Sequence, residues 1–144
     1  MSVAEILRKK GSRVLTVPQT APVLEAASRM THDRIGALVV SKNGRDIQGI
    51  VSERDVLHAL GRCGADVMTM KVEDIMTRRV ETCVPQDDVK RVMSIMTQHR
   101  CRHMPVVDHG RLCGMISIGD IVKQRLEEAE LETNVAREAL IFSR

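Results

Sequence analysis

The sequence predicts an α+β fold in which two βαββα repeats pack about a pseudo-twofold axis, with a short N-terminal helix and a long C-terminal helix. Three observations predict it. Val-Pro-Gln at residues 17–19 returns at 84–86, so that Pro18 and Pro85 stand 67 positions apart. The apolar stripe Val23, Ala26, Ala27 and Met30 returns as Val89, Val92, Met93 and Met96, each with the i, i+3, i+4, i+7 spacing of a buried helix face. The stretch "GIVSERDV" at 49–56 is echoed by "GMISIGDI" at 114–121, both reading Gly, two apolar residues, Ser, two variable residues, Asp, apolar.

The elements follow in order. Ser2 and Glu5 have the S-x-x-E spacing of a capping box and start a short helix in "SVAEILRKK". The first repeat then reads as strand 14–17, helix 21–33, strands 36–40 and 47–51, and helix 53–61; the second reads as 80–83, 87–99, 104–107, 112–116 and a helix from 118 onward. Val39 and Val40 return as Val106 and Val107 at an offset of 67, whereas the glycines of the opening motif, Gly49 and Gly114, are offset by 65. Asn43-Gly44 and His109-Gly110 supply turn chemistry between the last two strands of each repeat. The division is residues 1–61 for the first repeat with the N-terminal helix, 62–77 for a linker, and 78–144 for the second repeat with the C-terminal helix. A half of this size buries a marginal core alone, so the halves are expected to pack on each other and to form clefts in pairs. Beyond Ser117, Val122, Leu126, Ala129, Thr133, Ala136 and Leu140 are spaced alternately by four and three, which predicts one long helix laid on a partner helix, here or in a second subunit.

Composition narrows the function classes. One Phe, no Trp and no Tyr stand against nine Met, so the core is aliphatic and sulfur-rich, and the aromatic platforms of single-stranded nucleic-acid binders are lacking. A net charge of +3 from 22 basic and 19 acidic residues leaves any anion site local. Cys63, Cys83, Cys101 and Cys113 form no CxxC pair, no run approaches a membrane span, and the N-terminus lacks a secretory apolar segment, so a cytoplasmic protein with reduced thiols is expected. No P-loop, Rossmann glycine motif or nucleophile elbow occurs, and no catalytic residue is assigned. His99, Cys101, His103, His109 and Cys113 lie close in sequence, but without the tight paired spacing of ordered zinc sites; His103 reads better as a nucleotide or surface residue and Cys113 as a core thiol.

The Ser-x-x-Asp pairs have a structural reading and a functional one. A Ser that ends a strand, with an acid three residues later, caps a helix N-terminus. The same geometry offers free N–H groups and partial positive charge to a phosphate, and a carboxylate to the two hydroxyls of a ribose. Ser52 with Asp55 and Ser117 with Asp120 fit both.

The repeat order, with "RHMPVVD" in the second copy and G-h-h-S-x-x-D in both, resembles a tandem pair of cystathionine-β-synthase-type (CBS) domains, a Bateman module, and the stretch from Gly110 to Glu132 resembles free-standing bacterial members. The resemblance implies a regulatory sensor of adenine nucleotides (AMP, ADP, ATP, NAD or S-adenosylmethionine) rather than an enzyme, working as a homodimer; the composition and the short apolar runs set the expectation of no nucleic acid and no membrane. AMP is the first expectation. It implies that Asp55 and Asp120 clasp ribose, that Ser52 and Ser117 stand near phosphate, and that the segments before the central strands, Ile35, Gly36 and Ala37 in one copy and Cys101, Arg102, His103 and Met104 in the other, meet adenine or phosphate. Ile118 and Gly119 of the second motif, with Thr77 and Arg78 ahead of the second copy, complete that set. Ser117 and Asp120 are expected to be the better adenosine holder, with Arg54 or Arg102 on phosphate. The basic cluster at 8–13 reads as a solvated helix end, and its Gly11 alternatively as a point of close approach to a ligand. The alternative function is an interaction module with vestigial clefts that docks a partner through its C-terminal helix.

Overall fold

The computed structural model describes residues 1–143. Helix α1 (Val3–Lys10) is followed by strand β1 (Thr16–Val17), helix α2 (Val23–Asp33), strands β2 (Ala37–Val40) and β3 (Gly49–Ser52), and helix α3 (Glu53–Cys63). A 3₁₀ turn (Gly64–Thr69) and a short helix α4 (Val72–Ile75) lead to helix α5 (Val89–His99), strands β4 (His103–Asp108) and β5 (Arg111–Ser117), and helix α6 (Ile118–Phe142). The α+β fold of paired repeats with a short first and a long last helix is the one the sequence predicts.

In the first half β1 pairs parallel to β2, and β2 antiparallel to β3. The second half keeps the β4–β5 hairpin, but its first strand shrinks to a single parallel bridge between Cys83 and Val106. The two turns differ as well. His109 and Gly110 both take positive φ, 50° and 76°, as a two-residue hairpin turn between right-twisted strands requires. The longer Asn43 loop is held by side chains: Ser41 Oγ accepts from Gly44 N at 2.9 Å, and Asn43 Oδ1 accepts from Arg45 N and Asp46 N, both at 2.9 Å.

Register corrects one offset. Val40 pairs with Gly49 and Val106 with Gly114, so Val40 corresponds to Val106, one position from the match that the Val-Val pairs propose. An irregularity between Val106 and Val107 absorbs the extra residue. Up to that point the two registers match, so the alternation of side chains along a strand points Met104 and Val106 inward, as Leu38 and Val40 are in the first half.

Each half has its own aliphatic core, and each core is completed by a segment that precedes the other half. Val3, Ile6 and Leu7 of α1, numbered with the first half, are buried with Cys83, Val89, Val92, Met96, Met104, Val106, Ile116 and Ile121 of the second. Val72 and Met76, from the stretch read as linker and its end, are buried with Val17, Ala26, Met30, Leu38, Val40 and Val51 of the first. The backbone bonds correspond one to one: Val3 N to Asp87 O, Ala4 N to Pro85 O and Val89 N to Met1 O in one half; Val72 N to Ala21 O, Glu73 N to Gln19 O and Val23 N to Met70 O in the other. The glycines of the G-h-h-S-x-x-D motif make room for these crossing segments. A Cβ on Gly114 would lie 2.8 Å from the Leu7 side chain, and one on Gly49 would lie 2.8 Å from the Thr77 carbonyl oxygen.

Candidate functional site: two clefts between the halves

Both Ser-x-x-Asp pairs form full capping boxes. Ser52 Oγ accepts from Asp55 N at 3.3 Å while Asp55 Oδ2 accepts from Ser52 N at 2.8 Å; Ser117 and Asp120 repeat this at 3.1 and 2.9 Å. A cap of this kind is worth about 1 kcal/mol, so the local structural reading holds. Ser2 makes half of such a box, accepting from Glu5 N at 3.4 Å.

The boxes open into two adjoining clefts. The first, of about 450 Å³, is lined by Ser52, Glu53, Arg54 and Asp55, by Thr77, Arg79 and Glu81, and by the segment from His99 to His103. The second, of about 410 Å³, is lined by Ser117 and Asp120, by Met115, by Arg13, Val14 and Leu15, and by Asp33 to Ala37. Each cleft therefore combines the capped helix start of one half with the segment before the central strand of the other. The reason lies at the ends of α2 and α5. Arg34 and Arg100 both cap these helices in the left-handed region, at φ 54°, and turn the chain across the opposite half's cleft. Gly36 and His103 line both clefts, and a Cβ on Gly36 would stand 2.9 Å from the His103 ring.

This crossing changes the expected partners. Arg54 and Arg102 share the cleft of Asp55, whereas Asp120 faces Arg13 and Arg34. Arg54 Nη1 reaches over to the Arg100 carbonyl oxygen at 3.4 Å, and Thr77 Oγ1 donates to Asp55 Oδ1 at 3.2 Å. Of the residues proposed from sequence, Ser52, Arg54, Asp55, Thr77, Cys101 and Arg102 meet in the first cleft, Ile35, Ala37, Ser117 and Asp120 in the second, and Gly36 and His103 in both.

Five proposed residues stand apart. Met104 is fully buried in the second core, because its position on β4 points inward. Ile118 lines a shallow hollow beside Arg54 and Arg100, and its N–H is bonded to the Arg102 carbonyl. Gly119 is exposed outside both clefts. Arg78 is exposed and donates to the Glu73 carbonyl at 3.2 Å, so Arg79 takes the cleft position instead. Gly11 closes α1 at φ 95° with open space around its Cα.

The residue that sequence reading missed is Lys10. Its Nζ lies 2.7 Å from Asp120 Oδ2 and donates to the Met115 carbonyl at 2.8 Å, with both side chains partly shielded. Only the crossing of α1 to the second half brings it there, so the cluster at 8–13 is not merely a solvated helix end. Burial opposes ionisation of Asp120, but the Lys10 ammonium and the Ser117 N–H outweigh it and hold the carboxyl below its ordinary value. Asp55 has no cation within salt-bridge distance among the described residues.

The remaining cysteines and histidines, in the clefts and around them, have ordinary tasks. Burial pushes the Cys101 thiol up, opposed by its backbone hydrogen bond, and it raises Cys83 to about 12, so neither is a ready nucleophile. Burial lowers His103, which leaves it neutral between the clefts. His99 lies 3.6 Å from Glu81, and His109 lies 3.6 Å from Asp108 on the exposed hairpin turn. Among the described residues no three His, Cys, Asp or Glu side chains converge on a metal position. No helix among them is long and apolar enough to cross a membrane.

Comparison with known proteins agrees with this architecture. The CBS domain family profile matches residues 3–62 and 72–127. The chain is 35% identical over 135 residues to the mitochondrial CBS domain-containing protein CBSX3 of Arabidopsis thaliana, covering 88% of this chain and 66% of that one. It is similar to the crystal structure of the CBS-domain protein ATU1752 of Agrobacterium tumefaciens, at 40% identity, a TM-score of 0.82 and coverage of 87% and 99% of the two chains. It is also similar to the CBS domain protein PAE2072 of Pyrobaculum aerophilum complexed with AMP, at 27% identity, a TM-score of 0.77 and coverage of 92% and 99%. Repeats, paired clefts and family profile agree: the chain belongs to the CBS-domain family, as a tandem pair forming one Bateman module of a regulatory rather than catalytic kind.

Proposed function

We propose that the protein is a regulatory module that binds an adenine nucleotide, AMP first and ADP, ATP or NAD alternatively, in the first cleft. The observation that carries this reading is the Asp55 carboxylate: it is fixed by the Ser52 backbone at 2.8 Å, free of a salt bridge among the described residues, and shares its cleft with Arg54, Arg79, Arg100 and Arg102. Asp55 Oδ1, now accepting from the Thr77 hydroxyl, is the oxygen offered to ribose. Ser52, the α3 N-terminus and Arg54, Arg100 and Arg102 suit phosphate. The cleft volume of about 450 Å³ lies within the roughly 300–1,000 Å³ of small-molecule sites. The AMP complex of PAE2072 supports the ligand class.

A ligand in this cleft touches both halves, so it favours whichever arrangement of the halves binds it more tightly. The second cleft is the weaker site, because its carboxylate already holds Lys10. A cytoplasmic homodimer completes the reading. Calorimetric titration of nucleotide-stripped protein with AMP, ATP, NAD and S-adenosylmethionine tests it: saturable heat with at least one of them, with affinity markedly weakened in Asp55→Asn, is expected, and absence of heat and of thermal shift with all four overturns it. The exposed distal part of α6 favours a second reading, a partner-docking module with idle clefts, which predicts that null result.

A further inference from the structure

One titratable side chain is common to both clefts. His103 opens β4, and its partly buried ring lines the first cleft and the second. Gly36 is the other residue they share, and the lack of a Cβ there, which would stand 2.9 Å from the ring, leaves room for the imidazole between them. Among the described residues the ring has neither an ion-pair nor a hydrogen-bond partner. Its nitrogens keep some exposure, because among those residues only Gln48 Oε1 is both sealed and unpartnered.

Charges face the ring from both sides. Glu53 at the start of α3, in the first cleft, and Asp120 near the start of α6, in the second, favour its protonation, whereas Lys10 of α1 and the adjacent Arg102 oppose it. The walls also carry Arg54 and Asp55 on one side and Arg13 and Arg34 on the other. The two acids and the two bases work against each other, and burial leaves the imidazole neutral. An imidazole ordinarily titrates close to neutrality, so a further charge beside it changes its state.

We propose that His103 is a proton-linked contact common to both clefts: an anionic ligand in either one binds together with a proton on this imidazole. The inference deepens the nucleotide reading and rests on it for the identity of the ligand, though not for the behaviour of the ring. A phosphate within about 4–6 Å of an imidazole favours the charged form. By reciprocity the charged ring strengthens the hold on the phosphate by the same factor. Affinity therefore rises as pH falls towards the ordinary histidine value of about 6.5 and declines above it. Because the ring is shared, an anion in one cleft also places positive charge on the wall of the other. A ring that served only as a spacer would do none of this.

Nuclear magnetic resonance of the imidazole groups follows the ring directly, with its signal identified by its loss in His103→Gln. In the free protein its titration should move to lower pH in Glu53→Gln and to higher pH in Lys10→Met, one charge being removed on each side. Saturating pyrophosphate should move it to higher pH in the parent chain. Calorimetry with AMP at about pH 6.5, in two buffers of different ionisation enthalpy, should show more proton uptake by the parent than by His103→Gln. The titration of the ligand's own phosphate is common to both and cancels. Between about pH 8 and 6 the parent should gain about threefold more affinity for AMP than the variant does. A ring signal moved by pyrophosphate while no nucleotide gives heat supports this inference and overturns the nucleotide reading. A ring signal indifferent to both Glu53→Gln and Lys10→Met, or to pyrophosphate and every nucleotide tried, overturns the inference. Equal proton uptake by parent and His103→Gln on binding AMP overturns it too, and leaves the nucleotide reading standing.

Discussion

The two clefts are built by the same rule and end up with different electrostatics. In each, a capped helix start from one half faces a left-handed turn from the other. In the first cleft Asp55 is anchored by backbone N–H and a threonine hydroxyl, whereas in the second Asp120 is anchored by the same backbone contact and a lysine ammonium. A hydroxyl yields its bond to an incoming sugar at little cost. A partly shielded ion pair does not. The motifs are alike; the segments that cross over them give the two carboxylates different partners, and the proposed ranking of the clefts rests on that difference.

The largest expected effect comes from breaking the crossing itself. Gly49→Ala sets a methyl against the Thr77 backbone carbonyl, which cannot rotate away, and should cost about 3 kcal/mol, whereas Gly114→Ala meets the movable Leu7 side chain and should cost about 1 kcal/mol. Paired urea titrations measure the difference, and equal losses would contradict the asymmetry. Next, Asp55→Asn keeps the helix cap but removes the charge, and should weaken nucleotide binding by about 2 kcal/mol, roughly 30-fold. Asp120→Asn should change the first-site affinity little; calorimetry on both variants separates the clefts.

Lys10→Met sharpens the comparison from the other side. Freeing Asp120 should strengthen second-cleft binding by about 1 kcal/mol, seen as stoichiometry rising from one towards two. It also changes the acid limb of stability. A carboxyl held below its unfolded value stabilises the fold above the unfolded pKa, and that contribution is lost as pH falls through the folded pKa. Urea midpoints of the parent and of Lys10→Met should therefore differ at neutral pH and converge in strong acid. The smallest effect is that of His103. Its folded pKa is depressed by burial, against the opposing charges of Glu53 and Asp120 and with the help of Lys10 and Arg102. The unfolded chain thus takes up the proton first, stability falls as pH drops below about 6.5, and His103→Gln should flatten this slope.

Much of the fold was legible because repetition exposes it. The α2 and α5 stripes and the Gly-to-Asp motifs locate both halves, and the caps appear where Ser52 and Ser117 predict them. The pairing of segments was less legible, since sequence order assigns α1 to its neighbour while the backbone bonds that fix it lie more than 80 residues away, at Pro85 and Asp87. A signal was present in "SVAEI" beside "KVEDI", where Val3 and Ile6 correspond to Val72 and Ile75. It places the start of the structural repeat at these lead-in helices rather than at the first strand. Without that crossing, Lys10 had no reason to be read with Asp120, nor Arg102 with Asp55.

The crossing also has a consequence for how the chain is made. Helix α1 is synthesised well before the strand and helix that cover Val3, Ile6 and Leu7, which extend to Ile121. At roughly 5–20 residues per second, that apolar face waits on the order of ten seconds for its partner. The first half, by contrast, is closed once Met76 has emerged. Synthesis therefore passes through a stage with one finished half and an uncovered N-terminal helix, which is when a chaperone or a second nascent chain has its chance to bind.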